Sequence, residues 1–495
     1  MSTILFWVLC TPLIGGLVLL FVPKKDIYFI REIGIVSSFI TLIGSFFLWL
    51  KFDYLTANFQ FCYVSKNYLL KNFYLQFILG VDGFSLIFVL LTAIIIPLCI
   101  WSVFHKNIIF SNLYVSLFLF LEFAILGSFF SLDLLLFFIF FEIILIPMIF
   151  LIGIWGSAFR KVRAMYFFLL YTAFGSIFLL LAIFLILLER QTSNFYFLFY
   201  NNLPFTKEKQ TLLWFLFLIG LAVKIPIFPL HLWLPEAHVE ASTEGSIILA
   251  SLLLKLGGYG FLRTSLPLCP NASIFFLPFV YTFCVLGIIY CSFIALRQND
   301  LKKIIAYSSV AHMNLVVLGV FSNNIQGLQG AIFLMVGHAL ASSGLFFVVG
   351  CLYDRHKIRL VSYFGNILQT MPLLSFFFFL YTLTNVSFPG TCNFIGEILI
   401  LIGVFETNAS MMVLATFSGI LTVTYSFWLF NRIVFGTVKL NYIKYYSDLQ
   451  NWEVDILFYF SILIIFLGLK PNYILNISYF SSLHLLQLLT IGCIA

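Results

Sequence analysis

The chain has 495 residues, of which 62% are hydrophobic and only 9% charged, and its mean hydropathy is +1.10. This composition excludes a soluble globular protein and describes a polytopic membrane protein, in which each spanning helix needs about 20 mostly apolar residues. The net charge of +7 is spread over short loops without a long basic run, so it calls for no nucleic-acid partner. The nine cysteines are scattered, with no C-x-x-C and no zinc or iron–sulfur spacing, and read as small apolar residues of helices. Neither G-x-G-x-x-G nor G-x-x-x-x-G-K-[ST] occurs, so no nucleotide is expected to bind this chain. Phe, Ile, Tyr and Asn are frequent, with 64 Phe, which is the bias an AT-rich genome such as an organelle's would give.

In chain order, Met1 to Val22 is apolar but has no basic stretch before it, and reads as the first spanning helix, not a signal peptide. Apolar spans follow near 30–50, 81–104, 112–130, 132–155, 164–188, 211–229, 243–266, 274–296, 301–321, 327–353, 371–389 with 391–405, 410–435 and 454–469. The fold class expected is therefore an all-α bundle of about 14 transmembrane helices. Residues 51–80 and 189–210 read as longer connections, and the stretch after Lys470, including His484, as a short apolar tail at the interface. Loops after odd-numbered spans, with Lys25, Lys106, Lys302 and Lys444 among them, hold 16 Lys and Arg. Loops after even-numbered spans, with Lys66, Lys71 and Arg263 among them, hold 7. The bias places the odd loops inside and, for an even number of spans, both termini outside.

The stretch Trp214 to Arg263 is central, because two apolar segments each carry a lysine, Lys224 and Lys255, near the middle. A lysine at the centre of a membrane helix costs about 2.5–3.5 kcal/mol on insertion scales. Pro226 and Pro229 follow Lys224 and break the backbone ladder there; broken helices at membrane depth line polar or wet cavities. Five spans later Glu397 stands beside the Pro389-Gly390 break of the twelfth span. An ionisable residue in a broken helix, recurring at that interval, points to two inverted five-helix repeats with discontinuous helices 7 and 12. The expected organisation is 1–111 for the first three helices, 112–266 and 274–436 for the two repeats, and 437–495 for a last helix and tail.

Glu122, Glu142, Lys224, Lys255, His312, His338 and Glu397 all fall inside apolar spans. Glu142, Lys224, Lys255 and Glu397 alone would cost about 10–14 kcal/mol unless paired or hydrated. They are candidates for a proton path; a set of ion pairs that only locks helices together would use the same residue types. Charges about 4 Å apart interact by roughly 4 kcal/mol at an effective dielectric of 20, or about 3 pKa units, enough to hold or release a proton as a pair opens and closes. The loop HLWLPEAHVEA, with His231, Glu236, His238 and Glu240, lacks a metal-binding spacing and reads as cavity lining and caps.

The phrases LAVKIPIFPLHLWLPEAHVEA, ILASLLLKLGGYGFLR, DLKKIIAYSSVAHMN, GHALASSGLFF with CLYDRHKIRL, and PGTCNFIGE resemble the antiporter-like membrane subunits of proton-pumping NADH:ubiquinone oxidoreductase, respiratory complex I, over residues 75–435. LPEAHVEA and the YDRHK stretch are more similar to mitochondrially encoded members than to chloroplast ones. The resemblance implies a 14-helix bundle with two inverted repeats and residence in the mitochondrial inner membrane. It implies that Glu142 and Lys224 form the coupled pair of the first half. Lys255 would connect the halves, His312 and His338 continue a polar axis, Glu397 end it, and Glu122 add a further acid. NADH, FMN, iron–sulfur clusters and ubiquinone would be bound by other subunits, so the partners implied are complex I subunits, neighbouring antiporter-like ones above all, and membrane lipids. Related subunits of multisubunit cation/proton antiporters share the fold and are the alternative; a purely structural, sealing subunit is another. Where family members read A-P-T, this chain has Ser242-Thr243-Glu244 after Ala241. Loss of the proline is expected to loosen the start of the eighth helix, and Glu244 to act as a surface cap there.

Overall fold

A computed structural model describes every residue except 1, 25, 71–74, 107, 157–159, 201–204, 440–446 and 495. Lys25, Lys71 and Lys444, counted among the loop charges, lie outside the described residues.

The fold is almost wholly helical. The N-terminal part holds α1 (Ser2–Phe21), α2 (Ile27–Lys51), the strands β1 (Gln60–Leu70) and β2 (Leu75–Val81), and α3 (Gly83–Val103). Next come α4 (Ser111–Phe130), α5 (Leu134–Ile143), α6 (Leu145–Trp155), α7 (Lys161–Arg190), α8 (Phe195–Tyr200), α9 (Lys207–Lys224), α10 (Trp233–Glu240) and α11 (Thr243–Leu268). After α12 (Pro270–Phe275), the second half has α13 (Leu277–Arg297), α14 (Leu301–Val320), α15 (Ile325–His356), α16 (Pro372–Asn385), α17 (Cys392–Thr407) and α18 (Ala409–Val434). Two further helices, α19 (Asn451–Leu469) and α20 (Asn472–Ile494), close the chain. Among the described residues, twelve helices are long and apolar enough to cross a membrane.

Large apolar side chains point outward along α7, with Leu170, Phe174, Ile177 and Leu181 exposed, while α11 and α15 are buried throughout their most apolar windows. A bilayer permits this arrangement: an apolar rim costs nothing in lipid, and polar groups must be satisfied inside. The central helix α15 packs against α17, α14, α16 and α19, and the π-helical part of α11 also rests on it.

The structure departs from the sequence reading in four places. Residues 51–80 are not a plain connection: β1 and β2 pair as an antiparallel hairpin, with Tyr63 opposite Leu79. The apolar tail is a 23-residue helix, α20. It lies across one end of the bundle, where Gln329 donates to the Leu475 carbonyl at 3.3 Å and Gly83 N–H to Ser481 Oγ at 3.1 Å. The span 132–155 is interrupted between α5 and α6, at Ile144, two residues after Glu142. Pro147 has no N–H to offer the Ile143 carbonyl, so the ladder slackens there. The eighth span is helical from Thr243 but carries two π-helical segments, Leu249–Leu253 and Phe261–Ser265.

The two proline breaks are built alike. After α9, Trp233 Nε1 reaches back to donate to the Val223 carbonyl at 2.8 Å. After α16, Asn393 Nδ2 donates to the Thr384 carbonyl at 3.0 Å. In each case a side chain beyond the break satisfies a carbonyl that the broken helix leaves open. Gly390, at φ +93°, takes a left-handed turn that a Cβ would strain.

Candidate functional site

The site grows from the buried helices α14 and α15, the half-buried α17 and the π-widened helix α11. Lys255 is fully buried two residues beyond the first π segment. Its ammonium donates to the Ala250 carbonyl at 2.6 Å and lies 2.8 Å from His338 Nδ1. A π segment shifts carbonyls out of their ordinary pairing, and such segments recur at functional sites. His338, on α15, faces His312 of α14 with ring centroids 5.5 Å apart. His312 Nδ1 lies 3.2 Å from Glu397 Oε1, on α17 just past the second break. Lys255, His338, His312 and Glu397 thus form one row of titratable groups. Its first three members are at most 2% exposed, and the Glu397 side chain is 15% exposed. Imidazoles accept a proton on one nitrogen and give one from the other, so such a row can pass protons along its length.

The first half is looser. The Lys224 ammonium ends α9, buried, 4.3 Å above the Phe141 ring, with no hydrogen-bond partner among the described residues. Glu142, the next residue on α5, feels the Lys224 charge, but no ion pair within 4.0 Å joins them and its Oε1 has no partner among the described residues. The structure therefore brings Glu142 and Lys224 together as neighbours across a gap. Glu122, on α4, stands apart: Thr41 of α2 donates to its Oε1, and its Oε2 has no partner among the described residues. Among the described residues no group of three or more His, Cys, Asp and Glu is arranged to hold a metal ion.

Sequence reasoning missed several buried polar residues. Lys302 was counted as a loop charge; it is 1% exposed and donates to the Ala241 carbonyl at 2.7 Å. Of the Lys302-Lys303 pair, only Lys303 turns outward, to Glu236 at 3.1 Å; adjacent residues of a helix face different ways, and that was the available signal. Arg263 is likewise no loop charge but pairs with Asp82 at 2.7 Å, both buried. Glu244 is not a surface cap: it is 2% exposed and receives hydrogen bonds from Ser102, Lys106 and Tyr114. Ser242 takes over the capping of α11, accepting from Gly245 N–H at 3.2 Å.

Known proteins resemble this chain in sequence and in fold. The family described as NADH:quinone oxidoreductase/Mrp antiporter, TM, matches residues 131–422. The chain is 49% identical to NADH-ubiquinone oxidoreductase chain 4 of Arabidopsis thaliana over 97% of its length and 96% of that protein. It is 47% identical to the protein of that name from Chondrus crispus, over 97% of each. The similarity thus runs well beyond residues 75–435, into both ends. Among solved structures, a chain of respiratory complex I from Thermus thermophilus with bound NADH superposes with a TM-score of 0.87 at 25% identity, covering 98% of this chain and 99% of that one. A chain of the Mrp complex from Dietzia sp. shares the fold, with a TM-score of 0.85 at 17% identity and 99% of each chain covered. On the strength of the profile and of relatives matched over nearly their whole length, the chain belongs to the NADH:quinone oxidoreductase/Mrp antiporter family of transmembrane proteins.

Proposed function

We propose that this chain is a core membrane-arm subunit of respiratory complex I in the mitochondrial inner membrane. It translocates protons while NADH oxidation and ubiquinone reduction proceed in other subunits. The observation that carries the reading is the buried row Lys255–His338–His312–Glu397, whose neighbours are 2.8 Å, 5.5 Å between ring centroids, and 3.2 Å apart. A row of this kind at membrane depth is costly and is expected where protons pass. Glu142 and Lys224 form the corresponding element of the first half, working across their gap, and Glu122 adds a further acid. In this reading 112–266 and 274–436 are two inverted repeats, and α9–α10 and α16–α17 bring the spans to fourteen. FMN, iron–sulfur clusters and ubiquinone belong to partner subunits, neighbouring antiporter-like subunits abut this one, and the gene is organellar.

The shared fold of the Mrp chain supports a second reading, a subunit of a multisubunit cation/proton antiporter. Purification from the native membrane separates the two. Co-purification with flavin and iron–sulfur subunits and NADH-driven proton uptake is expected. Sodium-dependent transport by an assembly lacking those subunits would establish the antiporter reading instead.

A further inference from the structure

The last helix, α20, borders a groove at the end of the bundle where α2 and α19 finish and α3 and α15 begin. The groove has a volume of about 310 Å³. Its deep part is walled by Ile87 and Ile94 of α3, Val336 and Leu340 of α15, and Leu463 of α19. Phe46 and Trp49 of α2 and Ile477 of α20 stand nearer its outer end. Among the described residues no Asp, Glu, Lys, Arg or His side chain lines it.

Helix geometry gives its depth, at 1.5 Å per residue. Leu463 lies six residues from the end of α19, Ile94 eleven from the start of α3 and Leu340 fifteen from the start of α15. These intervals are about 9, 16 and 22 Å. The hydrocarbon core of a bilayer is about 30 Å thick, so one leaflet supplies about 15 Å. The groove therefore has the depth of one leaflet, which is the reach of one acyl chain.

At its outer end the groove opens into a second cavity of about 380 Å³, and the two share Trp49, Tyr473 and Ile477. The lining changes character there. Asn472 and Asn476, one turn apart on one face of α20, supply amides, and Tyr54 a hydroxyl. Trp49, Tyr54 and Tyr473 are of the two types that gather at headgroup level. Lys51 stands between the lining residues Leu50 and Phe52, and Lys470 two residues before Asn472; both lysines are exposed. The one acid within residues 49–54 and 470–477 is Asp53, whose Oδ1 accepts from the Leu55 N–H at 3.0 Å. From the floor outward the surface is thus aliphatic, then aromatic, then amide, then cationic. A phospholipid has the matching order from chain end to phosphate.

Other occupants match less well. A helix with its side chains is about 10–12 Å across. An extended peptide would bring backbone N–H and C=O groups into a groove with no polar partner for them in its depth. An isoprenoid chain suits the depth but leaves the lysines and amides without an anion.

We propose that this groove is a binding site for an anionic phospholipid. One acyl chain runs down between α3, α15 and α19, and the phosphate is held at the outer end by Lys51, Lys470 and the amides of Asn472 and Asn476. The site needs only that the chain spans a bilayer, and it stands whether or not the Lys255 row carries protons. Val336 and Leu340 lie two residues before and two after His338, so the acyl chain rests on the face of α15 away from that imidazole. The lipid therefore ties α20 to the helix that carries His338 without entering the row.

The test uses the whole assembled complex, washed of lipid in detergent and reloaded with phosphatidylglycerol that carries a photoreactive diazirine midway along one acyl chain. After illumination, adducts are expected on peptides containing residues 87–94 and 336–340. Unlabelled phosphatidylglycerol should compete them away, and phosphatidylcholine with the same chains should compete several-fold less well. A lysine near an anionic headgroup contributes about a factor of five in affinity, so Lys51→Gln with Lys470→Gln should weaken labelling about thirtyfold at low lipid concentration. Leu340→Trp, which fills the floor of the groove, should lose the adducts on both peptides. If Leu340→Trp fails to assemble, the double lysine variant decides, because both side chains are on the surface. Adducts confined to the outer rim, on α7 for example, would mean annular lipid only and overturn the site. Equal competition by phosphatidylcholine, or labelling indifferent to the two lysines, would overturn the anionic headgroup. Competition by a long-chain ubiquinone better than by phosphatidylglycerol would also overturn the proposal, as would absence of groove adducts because a neighbouring chain crosslinks there instead.

Discussion

Lys224 is the residue at which a proton carrier and a structural cation part most cleanly. Its ammonium touches the Phe141 ring and no hydrogen-bond acceptor among the described residues. A residue kept only to lock helices would be expected to grip its acid; here Glu142 stays outside ion-pair distance. Arginine would supply a permanent charge with better carboxylate geometry, but it cannot release a proton in a protein. Lys224→Arg should therefore assemble yet pump nearly as poorly as Lys224→Ala, in NADH-driven proton uptake normalised to assembled complex. Unaltered quinone-site inhibitor sensitivity would control for gross distortion by the larger guanidinium. Near-normal uptake by Lys224→Arg would return the residue to a structural role. Glu142→Gln should likewise pump poorly in assembled complex, because Lys224 loses the charge that tunes it. At the end of the buried row, Glu397 reaches His312 over 3.2 Å. Glu397→Asp keeps an acid one methylene shorter and should pump better than Glu397→Ala; equal loss in both would mean that packing, not proton exchange, is what the side chain provides.

Helices and their junctions show what a sequence can and cannot disclose. The spans were legible because a bilayer demands long apolar runs, and the breaks at Pro226 and Pro389 were legible because proline removes a donor wherever it stands. The slackening after Glu142 escaped because Pro147 sits in an otherwise unbroken apolar run, and only the backbone shows on which side the ladder yields. The π segments flanking Lys255 have no composition signal at all. Lys302, Arg263 and Glu244 were read as surface charges because each stands at the edge of a span, where burial depends on what the neighbouring helices bring to it. Arg263 illustrates the cost of such burial. It meets Asp82, whose side chain also accepts from Ser85 N–H to cap α3. Removing one partner of a buried ion pair costs about 3–5 kcal/mol, because the other charge is left unpaired. Asp82→Asn preserves the cap, since asparagine and aspartate cap equally well. It should nonetheless lower the melting temperature of the solubilised complex, and the double change Asp82→Asn with Arg263→Met should regain part of the loss. Additive destabilisation in the double variant would show that the pair is not what stabilises this corner.

On the scale of the whole molecule, the two ends of the bundle differ in kind. One end carries the charged odd loops, the Lys106–Glu244–Asp354 cluster and its cavity. The other carries the Asp82–Arg263 pair, the β1–β2 hairpin and α20. The contacts of α20 with Gln329 and Gly83 place it at the start of α15 and the start of α3, both on the even-loop end. The chain thus returns to that end after α19 and stays there, independently of how many spans are counted before it. On the reading proposed above, the odd end faces the matrix, since basic loops tend to be retained on the side of insertion. An epitope placed in the Arg355–Arg359 segment should then be reached by antibody only from the matrix face of inner-membrane vesicles. One appended after Ala495 should be reached only from the opposite face. If both epitopes respond from one face, α20 does not lie where its contacts with Gln329 and Gly83 put it. If each responds from the face opposite to the one expected, the bundle is inverted, and the Lys106–Glu244–Asp354 cluster then faces the side opposite to the matrix.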